Sequence, residues 1–290
     1  MVAKSEGDSV VTVDNFTYGL VNPAVAYAVS CLGGFLGLRC VRRARIYKGA
    51  GRAPWLVLAA ISVGATGIWA MHFIAMLGFT IPGQPILYNV PITVGSMLLS
   101  ILVCGIGLFI VGYGNGGLVR LLSGGMIVGL GVNAMHYMGM AGMSMPDAMS
   151  YNPALVGLSI LIAVVAGTAA LWLGEHVNNT IRDTTAASLI MGVAVVGMHY
   201  TGMWALEIKP GAMTTMLSGS SAFAFLVPMI VGLVVVTFGI VMALQLARTD
   251  AEVEEDRMLD RRMEELIAGR LNTATGPHPW DIPDDPRPQS

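Results

Sequence analysis

From Ala53 to Val119 the chain runs for 67 residues without one Asp, Glu, Lys or Arg. No surface in water can be built from such a stretch. It is long enough for two membrane crossings at about 20 residues each. The rest agrees: 54% of the 290 residues are hydrophobic and only 12% are charged, against about a quarter charged in an ordinary soluble domain. The expected fold class is an all-α integral membrane protein.

Seven apolar segments stand out, near 17–38, 54–79, 90–112, 121–143, 153–174, 186–207 and 222–246. Pro54 opens the second segment, and Pro82, Pro85 and Pro91 mark the loop before the third. Asn115 and Gly116 turn the chain before the fourth, and Pro146 and Pro153 bracket the loop before the fifth. Lys and Arg in short loops set orientation, because they stay on the cytoplasmic side. Arg39, Arg42, Arg43, Arg45, Lys48 and Arg52 follow the first segment, Arg120 the third and Arg182 the fifth, against Lys4 and Lys209 on the other side. The N-terminus is therefore expected outside and the C-terminus in the cytoplasm, with segments two, four and six running outward. The start of the chain has neither the basic region nor the short apolar core of a cleaved signal peptide, so the first segment is expected to remain as a span.

The expected domains are an extracytoplasmic N-terminal segment over 1–16, a seven-helix membrane domain over 17–246, a cytoplasmic charged helix over 247–271 and a disordered tail over 272–290. The charged helix carries Leu259, Met263, Leu266 and Ile267 on one side, which suits a solvated stalk or a weak homodimer contact. The net charge of −2 gives no support for a nucleic-acid partner. Cys31, Cys40 and Cys104 form no CxxC pair and read as buried small apolar residues. There is no nucleophile–base pair and no pair of carboxylates, so an enzyme is not expected. Gly33-x-x-x-Gly37 and Gly125-x-x-x-Gly129 have the small-residue spacing that lets membrane helices approach closely.

Three of the five histidines fall in one repeated phrase: MHFIAM at 71–76, MHYMGM at 135–140 and MHYTGM at 198–203. His72, His136 and His199 lie 64 and 63 residues apart, each in an even-numbered segment, so the chain reads as three copies of a two-helix unit. Parallel even-numbered helices place all three at similar depth. The segment edges put them about 7–9 residues from the outer end, or about 10–14 Å below the surface. Met76, Met140 and Met203 follow their histidines by four residues, on the same helix face. Met71, Met135 and Met198 precede them and point about 100° away. Imidazole with thioether favours copper, and the carboxylates that magnesium or calcium need are missing at this depth. Ionisable side chains inside a membrane normally face a partner or a cavity. Tyr137, Tyr200 and Asn133 are candidates to bond around the site. Met143, Met145, Met149, Met213 and Met216 fall in or near outer loops, where soft ions could pass.

These phrases resemble the MHYT family of bacterial integral-membrane sensor domains. Met198-His199-Tyr200-Thr201 carries all four letters. Met135-His136-Tyr137-Met138 departs at the last and Met71-His72-Phe73-Ile74 at the last two. The resemblance spans about residues 17–246. It implies a cytoplasmic-membrane location, a copper site near the outer face and the sensing of a diatomic gas such as O2, CO or NO. Relatives of this kind join such a domain to an output module. None is expected here, so a separate cytoplasmic signalling partner is. The alternatives are a copper transporter or carrier, and a haem protein with two histidines as axial ligands. Transport would need a second ligand set on the inner half, and Met97, Cys104, Met126 and Met191 form no repeated one.

Overall fold

The computed structural model describes residues 13–114, 116–177, 180–209, 219–247, 255, 258–259 and 261–268. Among them are seven helices long and apolar enough to cross a membrane. We number these α1 (Val21–Ile46), α2 (Gly49–Met76), α3 (Val90–Gly112), α4 (Leu118–Ala141), α5 (Pro153–His176), α6 (Ile181–Trp204) and α7 (Ala222–Leu246). Helices α1 to α6 form a closed ring in which each packs on the next and α6 returns to α1. Helix α7 lies against the outside of the ring, where Ile240 packs with Leu36, Cys40 and Ala59. Residues 246–290 form a second unit. Its residues 261–268 are helical, and Met263, Leu266 and Ile267 are exposed there. Residues 1–12 and the expected tail over 272–290 lie outside the described residues, as do Met213 and Met216.

Local sequence explains where the helices begin. Asn89 and Asn152 accept hydrogen bonds from Ile92 N (3.1 Å) and Ala154 N (3.0 Å) at the starts of α3 and α5. Pro91 and Pro153 follow in the first turns, where a missing N–H costs nothing. At the opposite end Thr180 caps α6 through Asp183 N at 3.1 Å. Gly116 and Gly117 take positive φ between α3 and α4, a turn that side-chain-bearing residues rarely make.

Small residues set the helix spacing, as the sequence suggests. A Cβ on Gly33 would collide with the backbone of Gly67 in α2, and one on Gly129 with the backbone of Val164 in α5. Polar groups bond across these close contacts: Ser62 Oγ donates to Gly33 O (2.9 Å) and Ser100 Oγ to Gly64 O (2.9 Å). In α2 the nine residues Ser62–Ala70 form a π-helix that ends where Met71 and His72 begin. Such wide turns cluster at functional sites.

Two expectations are corrected. The first apolar segment ends at 38, yet α1 continues to Ile46, because apolar patterning stops where Arg39 begins while the backbone stays helical. Long arginine stems lie along the helix while their heads reach polar groups; Arg45 donates to Gly174 O at the end of α5. The even helices end earlier than their apolar runs, at Met76, Ala141 and Trp204. Each histidine is then only about four or five residues from its helix end, or about 6–8 Å along the axis. Beyond the ends of α4 and α6, Met143 and Leu206 enter short strands; the strands are β1 (Leu87–Tyr88), β2 (Met143–Ser144), β3 (Ala148–Tyr151), β4 (Leu206–Lys209) and β5 (Ser220–Ser221). β1 pairs antiparallel with both β2 and β5, and β3 with β4. Strands this short carry no readable alternation.

Candidate metal centre

α2, α4 and α6 each bring one histidine to the same point, near the C-terminal ends of these three helices. His72, His136 and His199 are 1%, 0% and 1% exposed. Their Nδ1 atoms converge: His72 to His199 at 3.0 Å and His72 to His136 at 3.2 Å. The ring centroids are 5.0, 5.0 and 5.1 Å apart and the ring planes cross at 77–88°, so the imidazoles form a three-bladed arrangement. Among the described residues no other three His, Cys, Asp or Glu side chains come together in this way.

Hydrogen bonding alone accounts poorly for this arrangement. An imidazole nitrogen offers one proton or one in-plane lone pair. Nδ1 of His72 faces two other nitrogens and can serve only one of them well. Nε2 of His72 and of His136 is buried and has no hydrogen-bond partner. The three lone pairs instead suit one cation. Two nitrogens each about 2.0 Å from a single ion, at a near-tetrahedral angle, lie about 3.3 Å apart, close to the spacing seen.

The methionines share this region. Met71, Met76, Met135, Met140, Met198 and Met203 are all 3% exposed or less and belong to one apolar core. Tyr137 and Asn133 turn away from the nitrogens: Tyr137 Oη lies 3.1 Å from Ser159 Oγ, and Asn133 Nδ2 donates to the same atom at 3.0 Å. The Tyr200 ring stacks on Phe16 at 5.4 Å, and its hydroxyl has no partner. Thr201 Oγ1 donates to Gly197 O in its own helix at 2.8 Å. Of the methionines expected in outer loops, Met143 is 5% exposed and lies in β2, while Met149 lies in β3.

Two residues that sequence reasoning missed complete the site. A Cβ on Gly139 would stand 2.5 Å from Nε2 of His72, and one on Gly202 would collide with Nε2 of His136 in the same way. The imidazoles of His72 and His136 are thus each backed by the glycine of the next histidine helix. Gly139 and Gly202 stand three residues after their own histidines, within MHYMGM and MHYTGM. The signal was present as a repeated glycine, obscured because the first copy has Ala75 there.

The chain matches the MHYT family, described as a bacterial signalling protein N-terminal repeat, at residues 66–124, 129–188 and 192–253. It belongs to the MHYT family. Each match starts on a histidine helix and runs through the helix that follows, so the histidine helix comes first in each repeat unit, and α1 stands outside all three. The bifunctional diguanylate cyclase/cyclic di-GMP phosphodiesterase MucR of Pseudomonas aeruginosa is 38% identical over 200 residues, 68% of this chain and 29% of that protein. An uncharacterized signaling protein of Caulobacter vibrioides is 37% identical over 191 residues, 66% of this chain and 23% of its own length. The cyclic di-GMP phosphodiesterase NbdA of P. aeruginosa is 34% identical over 216 residues, 72% of this chain and 27% of that protein. The MHYT chain thus spans less than a third of each of these relatives. No solved structure matches it.

Proposed function

We propose that this MHYT chain is a membrane sensor whose three histidines hold one copper ion near the outer face of the cytoplasmic membrane. The observation that carries this reading is the convergence of three buried Nδ1 atoms. Imidazoles from His72, His136 and His199 supply nitrogen, and thioethers from Met76, Met140 and Met203 supply soft sulfur on the same helix faces. Met71, Met135 and Met198 are the second choice of sulfur donors. This set favours copper over hard cations. Bound copper would supply an attachment point for a diatomic gas, O2, CO or NO.

The protein's part is mechanical. One side chain from each of α2, α4 and α6 meets at a single point, so any change in the spacing of the three imidazoles is a change in the packing of three helices. A ligand shifts such packing only as far as it binds two arrangements with different affinity. The N-terminus outside and the C-terminus in the cytoplasm would bring the shift, through α7, to a cytoplasmic signalling partner. The signalling names of the relatives support a signalling role.

Infrared spectroscopy of the copper(I)-loaded protein under CO tests the reading. A single sharp CO stretch that is absent from the His136→Ala protein is expected. A haem absorbance band in the purified protein would favour the haem alternative, and copper uptake into vesicles would favour the carrier.

A further inference from the structure

The histidines are almost fully buried, and the metal needs a way in. At the outer ends of α1, α2 and α7 lies a cavity of about 320 Å³. Its rim includes Tyr18, which is 57% exposed. Its walls include Asn22, Thr80 and Gln84, and it reaches Met76. Met76 is 2% exposed and stands one helical turn outward from His72 on the same face of α2. Neither Met140 nor Met203 lines this cavity.

The polar groups around it are partly engaged. Asn22 Nδ2 donates to Ile74 O at 3.0 Å, tying α1 to the turn of α2 that carries the motif. Gln84 Nε2 donates to Asp147 Oδ2 at 2.8 Å, while its buried Oε1 has no partner. The cavity therefore offers a neutral oxygen, an exposed phenol and, at the bottom, one thioether. The larger cavity, about 510 Å³ between α2, α3 and α7, offers no sulfur nearer the site than Met97 and Met229.

We propose that the cavity over Met76 is the loading vestibule of the histidine centre, taking a soft monovalent cation, Cu(I), from the outer side. This rests on the copper reading above. A thioether binds Cu(I) without losing a proton, and neutral oxygens hold a soft ion weakly. An ion in the vestibule thus gains most at Met76, and the next donor inward is the His72 imidazole one turn away. The transfer exchanges neutral ligands and leaves the oxidation state unchanged. Of the three methionines that follow a histidine by four residues, Met76 is the one that lines this cavity, so the repeats are chemically alike and kinetically unlike.

The test follows loading of the purified apoprotein by Cu(I) delivered from a chromogenic chelator in stopped flow. Thr80→Trp and Ala222→Trp fill the vestibule, and Met76→Leu removes its sulfur. Each is expected to load at least about tenfold more slowly. For the two tryptophan variants the final copper per chain should match the wild type. Val94→Trp, in the larger cavity, should load at the wild-type rate. A second readout needs no metal: Met76→Cys should react with a membrane-impermeant thiol reagent about tenfold faster than Met140→Cys or Met203→Cys, each above the background of the three native cysteines. Wild-type loading rates in both tryptophan variants and in Met76→Leu, or equal labelling at the three positions, would overturn the proposal alone. A wild-type protein that takes up no copper would overturn it together with the functional reading.

Discussion

In the middle of the bundle Ser62 and Ser100 each reach a backbone carbonyl on the neighbouring helix. Near the C-terminal ends of α2, α4 and α6, His72, His136 and His199 turn toward one another, and Nε2 of His72 and of His136 has no partner. Both sets are almost fully buried. The difference is one of partners. A hydroxyl bonded to a carbonyl holds two helices together and has nothing left to offer. Three imidazoles crowded on one point have lone pairs in excess of what they can give one another. Glycine is used twice as well. Gly33 and Gly129 admit a neighbouring backbone, whereas Gly139 and Gly202 admit an imidazole. Burial of a polar group in a membrane thus says little about function until its partner is known.

The largest expected effect separates the two regions directly. His72→Ala, His136→Ala or His199→Ala should abolish tight Cu(I) binding, measured by competition with a chelator of known affinity. Ser62→Ala and Ser100→Ala should leave copper binding intact and cost about 1 kcal/mol of stability each. Equal copper loss in both sets would erase the distinction.

The two kinds of glycine come next. Gly139→Ala and Gly202→Ala displace an imidazole and should weaken copper binding by about 10–100-fold, the range seen when groups that orient a ligand are changed. Gly129→Ala, which would collide with Val164, should lower the melting temperature and leave the copper affinity of the folded protein unchanged.

Much of this could be read from the sequence. The uncharged run and the apolar segments gave seven spans, and the 64- and 63-residue spacing gave three histidines at one depth. Their convergence was not legible. Depth follows from helix direction, but which way an imidazole turns depends on the ring closing between α6 and α1 and on the space left by Gly139 and Gly202. The roles of Tyr137 and Asn133 were hidden for the same reason: Ser159, their shared partner, lies on a different helix. The short strands left no periodic trace, so the distance from each histidine to its helix end was overestimated by about one turn.

Smaller effects refine the comparison. Met76→Leu, Met140→Leu and Met203→Leu keep side-chain volume and should change stability by less than about 1.5 kcal/mol each. Cu(I) affinity should fall by about tenfold, a change of about 1.4 kcal/mol. The same change at Met71, Met135 or Met198 should have less effect. Isothermal titration and thermal unfolding separate the two quantities. Asn133→Ala removes the amide that donates to Ser159 Oγ and should cost about 1 kcal/mol with no change in copper affinity. A loss of copper there would place Asn133 among the groups that tune the site.

The central claim is that three repeats build one site rather than three. Counting Cu(I) ions per chain tests it most directly, in the wild type and in each single histidine variant. One ion per chain is predicted for the wild type, and no tightly bound ion in any of the three variants. Two or three ions per chain, or the loss of only a share of the copper with each histidine, would contradict it.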